Sequence, residues 1–372
     1  MKSLSFGLWE EKILLVGAYW ILYGATLLCY TFIPYYRSLL DLSFPYGGFS
    51  PQLLLLLLLC VFSFFLLITK IQPGALQRSR VYCTIQGILK LGRTLITGSL
   101  RPSLSQEETV SLALFMVKFF FVPVMLKFFI ENFQDVLQSY RTATLFIDFA
   151  TPEIIFTVLY PLLFAVFLLI DTSYFLFGYL FESAALGSKV RSVDLTFLGW
   201  ISTLACYPPF NDVTLQVLGW HSSDFTDFGS VSFNLVTGGV ALVLMGIYVW
   251  ATVSLGFKCS NLTNRGIVSS GAYAWLRHPA YSAKNLIWWI MGMPFVLTAL
   301  FGSSTQLSSL GWSVAAVEEV FLRITPLLSL FCWSLVYYVR ALTEERHLMN
   351  DPEYRDYMSK VPNRFMPRFF II

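Results

Sequence analysis

Charge is scarce in this chain. Lysine, arginine, aspartate and glutamate make up 13% of its 372 residues, where soluble domains carry roughly 25%. Beside a 56% share of hydrophobic residues, that scarcity argues against a water-soluble globular domain. The net charge of +3 lacks the basic excess of a nucleic-acid surface, so no nucleic-acid partner is expected. Histidine is rarer still, with three in all. The six cysteines (Cys29, Cys60, Cys83, Cys206, Cys259, Cys332) are scattered and form no Cys-x-x-Cys. Zinc and haem chemistry therefore find little support, and no metal ligands are assigned. Runs such as "LLLLLLLCVFSFFLLI" do not alternate, which argues against an outer-membrane barrel. The N-terminus has no short apolar core followed by a small-residue cleavage site, so its first hydrophobic run reads as a retained span.

Long apolar runs are what the chain has. Several reach the roughly 20 residues that cross a bilayer core. The expected fold is all-α: a polytopic membrane protein of about eight transmembrane helices, near 12–36, 51–69, 109–130, 153–180, 195–210, 232–256, 284–303 and 313–340. The connections alternate in charge. Segment 70–108 holds Lys70, Arg78, Arg80, Lys90, Arg93 and Arg101, and 181–194 holds Lys189 and Arg191. Segment 257–283 holds Lys258, Arg265 and Arg277 without an acid. Segment 131–152 carries Glu131, Asp135 and Asp148, and 211–231 carries Asp212, Asp224 and Asp227. The positive-inside rule then puts the basic connections and both termini in the cytoplasm.

The chain reads as bipartite. Residues 1–190 offer spans and the basic loop 70–108, in which "TIQGILKLGRTLI" is either a basic amphipathic helix on the inner leaflet or a solvated loop. Residues 191–372 carry the chemistry. "ACYPPFND", Ala205 to Asp212, breaks a span with two prolines. The break is either a helix end at the outer surface or a broken helix lining a cavity.

Two polar constellations stand out. The first is "NRGIVSSGAYAWLRHPAY", from Asn264 to Tyr281. Pro279 suits the first position of a helix, which leaves Arg277 and His278 at its mouth. A helix start presents free N–H groups and partial positive charge, a natural anion site. Gly266 and Gly271 permit tight turns and close backbone approach, and Tyr273 and Tyr281 offer faces and hydroxyls. A cytoplasmic loop with a helix-starting proline is the plainer reading. The second is "YYVRALTEERHLMNDPEYRDYMSKVPNRFMP", from Tyr337 to Pro367. Arg340 and Glu344 are four apart and share a helix face. Glu344 is placed to receive an ammonium, and Arg340 could take a carboxylate in bidentate fashion. A snorkelling arginine with an intrahelical partner is the plainer reading there. Asp351 can cap a short helix starting at Pro352. Both constellations bracket the hairpin 284–340, so they can meet in space. Together they suit a zwitterion.

At these residues the chain resembles the isoprenylcysteine carboxyl methyltransferase and phospholipid methyltransferase superfamily of integral membrane enzymes. The resemblance runs through Gly271-x-Tyr273, Arg277-His278-Pro279-x-Tyr281, Glu344-Glu345-x-x-Leu348 and Glu353-Tyr354-x-x-Tyr357, over about residues 250–368. It departs at Ser282-Ala283 and at Met349–Glu353. It implies S-adenosylmethionine as cofactor, held by Arg265, Gly266, Ile267, Val268, Tyr273, His278, Pro279, Ala280, Tyr281 and Glu344. It puts the substrate-carboxylate arginine at Arg340. The implied partner is a membrane lipid or lipidated substrate in the bilayer. Methyl transfer to a carboxylate needs alignment and desolvation rather than a strong base. The only base candidates for a lipid amine are Glu345 and His347, so an acidic acceptor is favoured. Membrane sterol reductases, which bind a nicotinamide cofactor, share a similar Arg-His-Pro-x-Tyr segment and tail. A non-catalytic scaffold or transporter is the third reading.

Overall fold

The computed structural model describes residues 2–42, 50–98, 103–146, 151–218, 226–301 and 314–366. The loop charges Arg101, Asp148 and Asp224 fall outside them. The protein is all-α, and among the described residues there are one two-stranded ribbon and seven helices long and apolar enough to cross a membrane. The chain forms two compact units, Met1–Ile130 and Glu131–Ile372. The motifs begin near residue 190; the packing boundary lies earlier, at 130/131.

In the first unit α1 (Lys2–Phe32) and α3 (Pro51–Ile68) form an antiparallel pair, with α2 (Pro34–Leu39) between them in sequence. Trp20 donates to Ser63 at 3.0 Å and Lys12 to the Leu67 carbonyl at 2.8 Å. Ser50 caps α3 by accepting from the Leu53 N–H, just before Pro51 at the first helical position. The segment read as either a helix or a loop is a helix, α4 (Arg80–Thr97), capped by Ser79 and ended by left-handed Gly98. Val81 packs against Ala18 and Leu22, and Lys90 pairs with Glu108 at 2.7 Å. Its outer face leaves Leu95 and Ile96 more than four-fifths exposed, as an interfacial helix would. Helix α5 (Gln106–Phe146) carries the chain across the unit boundary.

The second unit contains α6 (Pro152–Ile154), a π turn (Ile155–Leu159) and α7 (Tyr160–Leu180), which form one continuous span. Then come β1 (Ser192–Val193), α8 (Phe197–Leu204), α9 (Phe210–Leu218), α10 (Val231–Leu255) and β2 (Thr263–Asn264). They are followed by α11 (Pro279–Phe301), α12 (Val314–Leu348) and α13 (Pro352–Lys360). Helices α7 and α10 run parallel: Tyr160 lies beside Gly238, Asp171 bonds Tyr248 and Thr252, and Gly178 meets Cys259. A Cβ at Gly178 would lie 1.8 Å from the Cys259 carbonyl oxygen, so the contact requires glycine.

Two parallel neighbours need a return between them. The expected continuous span at 195–210 is corrected here. Helix α8 has 8 residues and, at 1.5 Å per residue, covers only about 12 Å. The chain breaks at Ala205–Pro209, where Pro208-Pro209 is cis, and resumes as α9. Ser202 lies against Thr343, while Cys206 and Leu215 pack on the cluster of Trp288, Val296, Leu330, Trp333 and Tyr337. The return is thus a discontinuous helix running along α12, and the proline pair is its break rather than a helix end. The pairing of β1 with β2 brings segments 181–194 and 257–283 to one end of the unit.

Candidate functional site

At that end the finish of α7, α10 and α12 and the start of α11 enclose a cavity of about 210 Å³. Arg265, Gly266, Ile267, Val268, Tyr273, His278, Ala280, Tyr281, Arg340 and Glu344 all line it. Pro279, expected among them, opens α11 as a buried residue outside the lining. Helix α13 closes over the loop: Tyr357 donates to the Tyr273 carbonyl at 2.8 Å, and Tyr354 and Tyr357 pack with Ile267 and Leu348. Asp351 caps α13 as expected and also receives Arg191 and Asn264 at 2.9 Å each. Burial pushes its carboxyl up, but these donors outweigh that and hold it below the ordinary aspartate value.

Arg277 and His278 both line the cavity and also meet a carboxylate of the chain itself. Their partner is Glu345. His278 Nε2 lies 3.1 Å from its carboxylate, Arg364 forks onto it at 3.0 and 2.7 Å, and Arg277 Nε stands 3.4 Å away. Segment 361–366 is laid along this cluster, its Asn363 and Arg364 carbonyls accepting from the Arg277 and His278 amides. Glu345 is 5% exposed and does not line the cavity. This removes it as the base for an amine acceptor. His347 does line the cavity, with Nε2 at 3.2 Å from Ser192.

Glu344 faces the other way. One carboxylate oxygen accepts from Tyr281 and, at 3.3 Å, from Arg340. Among the described residues the second oxygen has His278 Nδ1 near it, at 3.8 Å, and no hydrogen-bond donor, and the side chain is 27% exposed. It is open to a further donor. Arg340 is no snorkelling anchor. Its guanidinium lies 5.2–5.9 Å from the ring centres of Tyr207, Tyr281 and Tyr337. It is also not an open fork, because Nε is engaged by Glu344 and Nη2 donates to Asn261. Among the described residues no hydrogen bond is made by Nη1, so bidentate capture of a carboxylate by this residue alone is corrected to a single free edge.

Arg265 is equally enclosed. It donates to Ser260 at 2.9 Å and to the Ser188 carbonyl at 2.9 Å, and it leaves Nη2 buried without a partner. Burial lowers its pKa below the ordinary arginine value. Gly266 beside it has φ +95°, and a Cβ there would meet the Arg191 guanidinium at 3.0 Å. The cradle therefore needs a glycine.

Four residues escaped the sequence reading. Asn261 ties the site together: its N–H donates to Tyr179, its amide nitrogen to Tyr207 at 3.1 Å, and its oxygen accepts from Arg340. Tyr207 comes from the break between α8 and α9, whose prolines were the signal. Lys284 and Asp171 are intramembrane charges, which mark functional sites by default. No family model, curated protein or solved structure matches this chain.

Proposed function

We propose that the protein is a membrane S-adenosylmethionine-dependent methyltransferase acting on a lipidic acceptor, with its site on the cytoplasmic side. One observation carries this reading: a single cavity combines a carboxylate oxygen open to an ammonium, on Glu344, with an arginine nitrogen lacking a partner, on Arg265, among tyrosine and histidine faces. That is the complement of an amino-acid zwitterion attached to a flat ring. The sequence resemblance over Gly271–Tyr281 and Glu344–Tyr357 supports the same ligand. The orphaned Arg265 nitrogen and the Gly266 cradle fit it as well.

S-adenosylmethionine supplies a methyl group on a positively charged sulfur. Glu344 is the residue for its ammonium, Arg265 and the backbone of Gly266–Val268 for its carboxylate, and Tyr273, His278 and Tyr281 for its flat surfaces. The chain's own contribution is alignment and exclusion of water. Asn261 and the three tyrosines fix Arg340, and α13 covers the loop. The basic connections 181–194 and 257–283, joined by the ribbon, favour a cytoplasmic opening by the positive-inside rule, where a water-soluble methyl donor is found.

Calorimetric titration of the detergent-purified protein with S-adenosylhomocysteine and, in parallel, NADPH tests this. Micromolar binding of the first, about −8 kcal/mol, and none of the second is the expected result. Labelled methyl donor with a total membrane lipid extract should then give a labelled lipid. Binding of NADPH alone would assign the cavity to reductive chemistry, and binding of neither would end the enzyme reading.

A further inference from the structure

Lys284 lies five residues into α11, about 7.5 Å along the helix from its start at 1.5 Å per residue. A lysine near a helix end ordinarily snorkels outward. This one turns into the bundle. Its ammonium sits 5.9 Å from the ring centre of Tyr248 on α10, 5.3 Å from Trp288 on α11 and 5.6 Å from Tyr337 on α12. Aromatic faces hold a cation without neutralising it. Among the described residues no carboxylate is close enough to pair with Lys284. Asp171, which interacts electrostatically with Lys284, is already bonded by Tyr248 and Thr252. Lys284 lines the cavity.

Arg340 flanks the same Tyr337 ring, its guanidinium 5.7 Å from the centre. Arg340 is already paired with Glu344 at 3.3 Å; Lys284 has no paired carboxylate among the described residues, and a cation left so inside a membrane bundle is costly unless an anion visits it. Each also keeps donors unused: all three on the Lys284 ammonium, and those of Nη1 on Arg340. The loop end of the cavity, by contrast, holds Glu344, suited to a cation.

We propose that Lys284 and the free edge of Arg340 together bind an oxyanion headgroup of the lipid acceptor, so that the substrate is an anionic lipid bearing a carboxylate or a phosphate. The proposal names the acceptor of the enzyme proposed above and rests on that reading. The chemistry agrees with the groups present. An oxyanion attacks with a lone pair, the new O–C bond forms as the S–C pair returns to sulfur, and no proton has to leave. A cationic donor and an anionic acceptor become a neutral thioether and an ester with one negative charge fewer. A lipid amine would have to shed a proton; the buried carboxylates Glu345 and Asp171 are committed to other donors, which leaves it to His347, held 3.2 Å from Ser192 at the cavity wall.

The test uses the full chain in detergent, with oleate, dioleoyl phosphatidic acid and dioleoyl phosphatidylcholine as probes and native mass spectrometry to count retained lipid. The wild type should retain at least one of the two anionic probes about tenfold over phosphatidylcholine. Oleate alone would identify a carboxylate and phosphatidic acid alone a phosphate. Lys284→Met should abolish the preference while leaving S-adenosylhomocysteine affinity unchanged, and Lys284→Arg should keep part of it. With the lipid extract, Lys284→Met should raise the acceptor KM about tenfold with kcat little altered. Equal retention of the anionic and neutral probes by the wild type, or a preference that survives Lys284→Met, overturns the proposal. So does a Lys284→Met protein that loses thermal stability, retains the preference and is rescued by Asp171→Asn, since Lys284 is then only a counter-ion. A Lys284-dependent anionic preference without cofactor binding or methyl transfer leaves the lipid site standing and removes the enzyme reading instead.

Discussion

Glu344 and Glu345 are consecutive on α12 and open onto different surroundings. Around Glu345 stand Arg277, His278 and Arg364, drawn from the helix mouth and the C-terminal segment, and the carboxylate has no face left for a ligand. Around Glu344 stand Tyr281 and Arg340, both on one oxygen, and the other oxygen looks into the cavity. The Glu345 carboxylate is fully engaged and closes the fold, with Arg277 Nε beside it making no hydrogen bond of its own; the Glu344 carboxylate is left incomplete. A saturated buried cluster fixes geometry, whereas an unfilled one can exchange partners with a ligand. The chain thus uses the same residue type twice within two positions, once as a structural keystone and once as a binding group.

The largest effect expected from this contrast is at the saturated cluster. Glu345→Ala strands two arginines and a histidine in a buried site, and breaking a buried pair from one side costs about 3–5 kcal/mol. Thermal unfolding in detergent should show a severe loss, with poor recovery of folded protein. Glu344→Gln should not. The glutamine oxygen can still accept from Tyr281 and Arg340, so the melting temperature should fall far less, while S-adenosylhomocysteine affinity falls at least about tenfold, or 1.4 kcal/mol, because a charge-assisted partner is lost. If the two variants melt alike and neither changes affinity, the division of labour between the two carboxylates is wrong.

Next in size is Arg340→Lys. An ammonium cannot reach Glu344 and Asn261 in the planar arrangement that the guanidinium uses. Turnover should drop by roughly one to two orders of magnitude, about 1.4–2.7 kcal/mol of transition-state positioning, with cofactor affinity near normal. Retention of full turnover would move the acceptor contact away from Arg340.

How far the sequence reaches differs along the same lines. The spans follow from apolar run length, and the mouth at His278 and the Arg340–Glu344 pair are readable because charged and titratable residues are rare in such a chain, whereas the loop of Arg265–Val268 enters as an expected cofactor loop only through the family resemblance. The partner of Arg277 and His278 is not readable, because Arg364 and Glu345 reach them only through tertiary packing of the C-terminal segment. The break in the return at 195–210 is legible in Pro208-Pro209, but whether the pair ends a helix or interrupts one is decided by the packing of α8 and α9 against α12. Asn261 carries no periodic signal, being one polar residue in a polar loop. Lys284 and Asp171 were visible as single charges inside apolar runs, and only their inward direction had to come from the structure.

The smallest effect separates charge from geometry at Asp351, a carboxylate intermediate between the other two. It is nearly buried, like Glu345, but its partner Arg191 is half-exposed, with 47% of the side chain accessible. Exposed pairs contribute about 0–1 kcal/mol, whereas an N-cap contributes typically about 1 kcal/mol. Asp351→Asn keeps the cap on α13 and removes the charge; Asp351→Ala removes both. The asparagine variant should therefore melt close to the wild type and the alanine variant clearly below it. The folded pKa lies below the ordinary value, so the charge-dependent part of the stabilisation is present above about pH 4 and is lost as pH falls through that value towards the folded pKa. A melting-temperature difference between wild type and Asp351→Asn that is small at neutral pH should shrink further as pH falls below about 4. If that difference is large at neutral pH, with the asparagine variant falling as far as the alanine variant, the Arg191 pair rather than the cap holds α13 over the cavity.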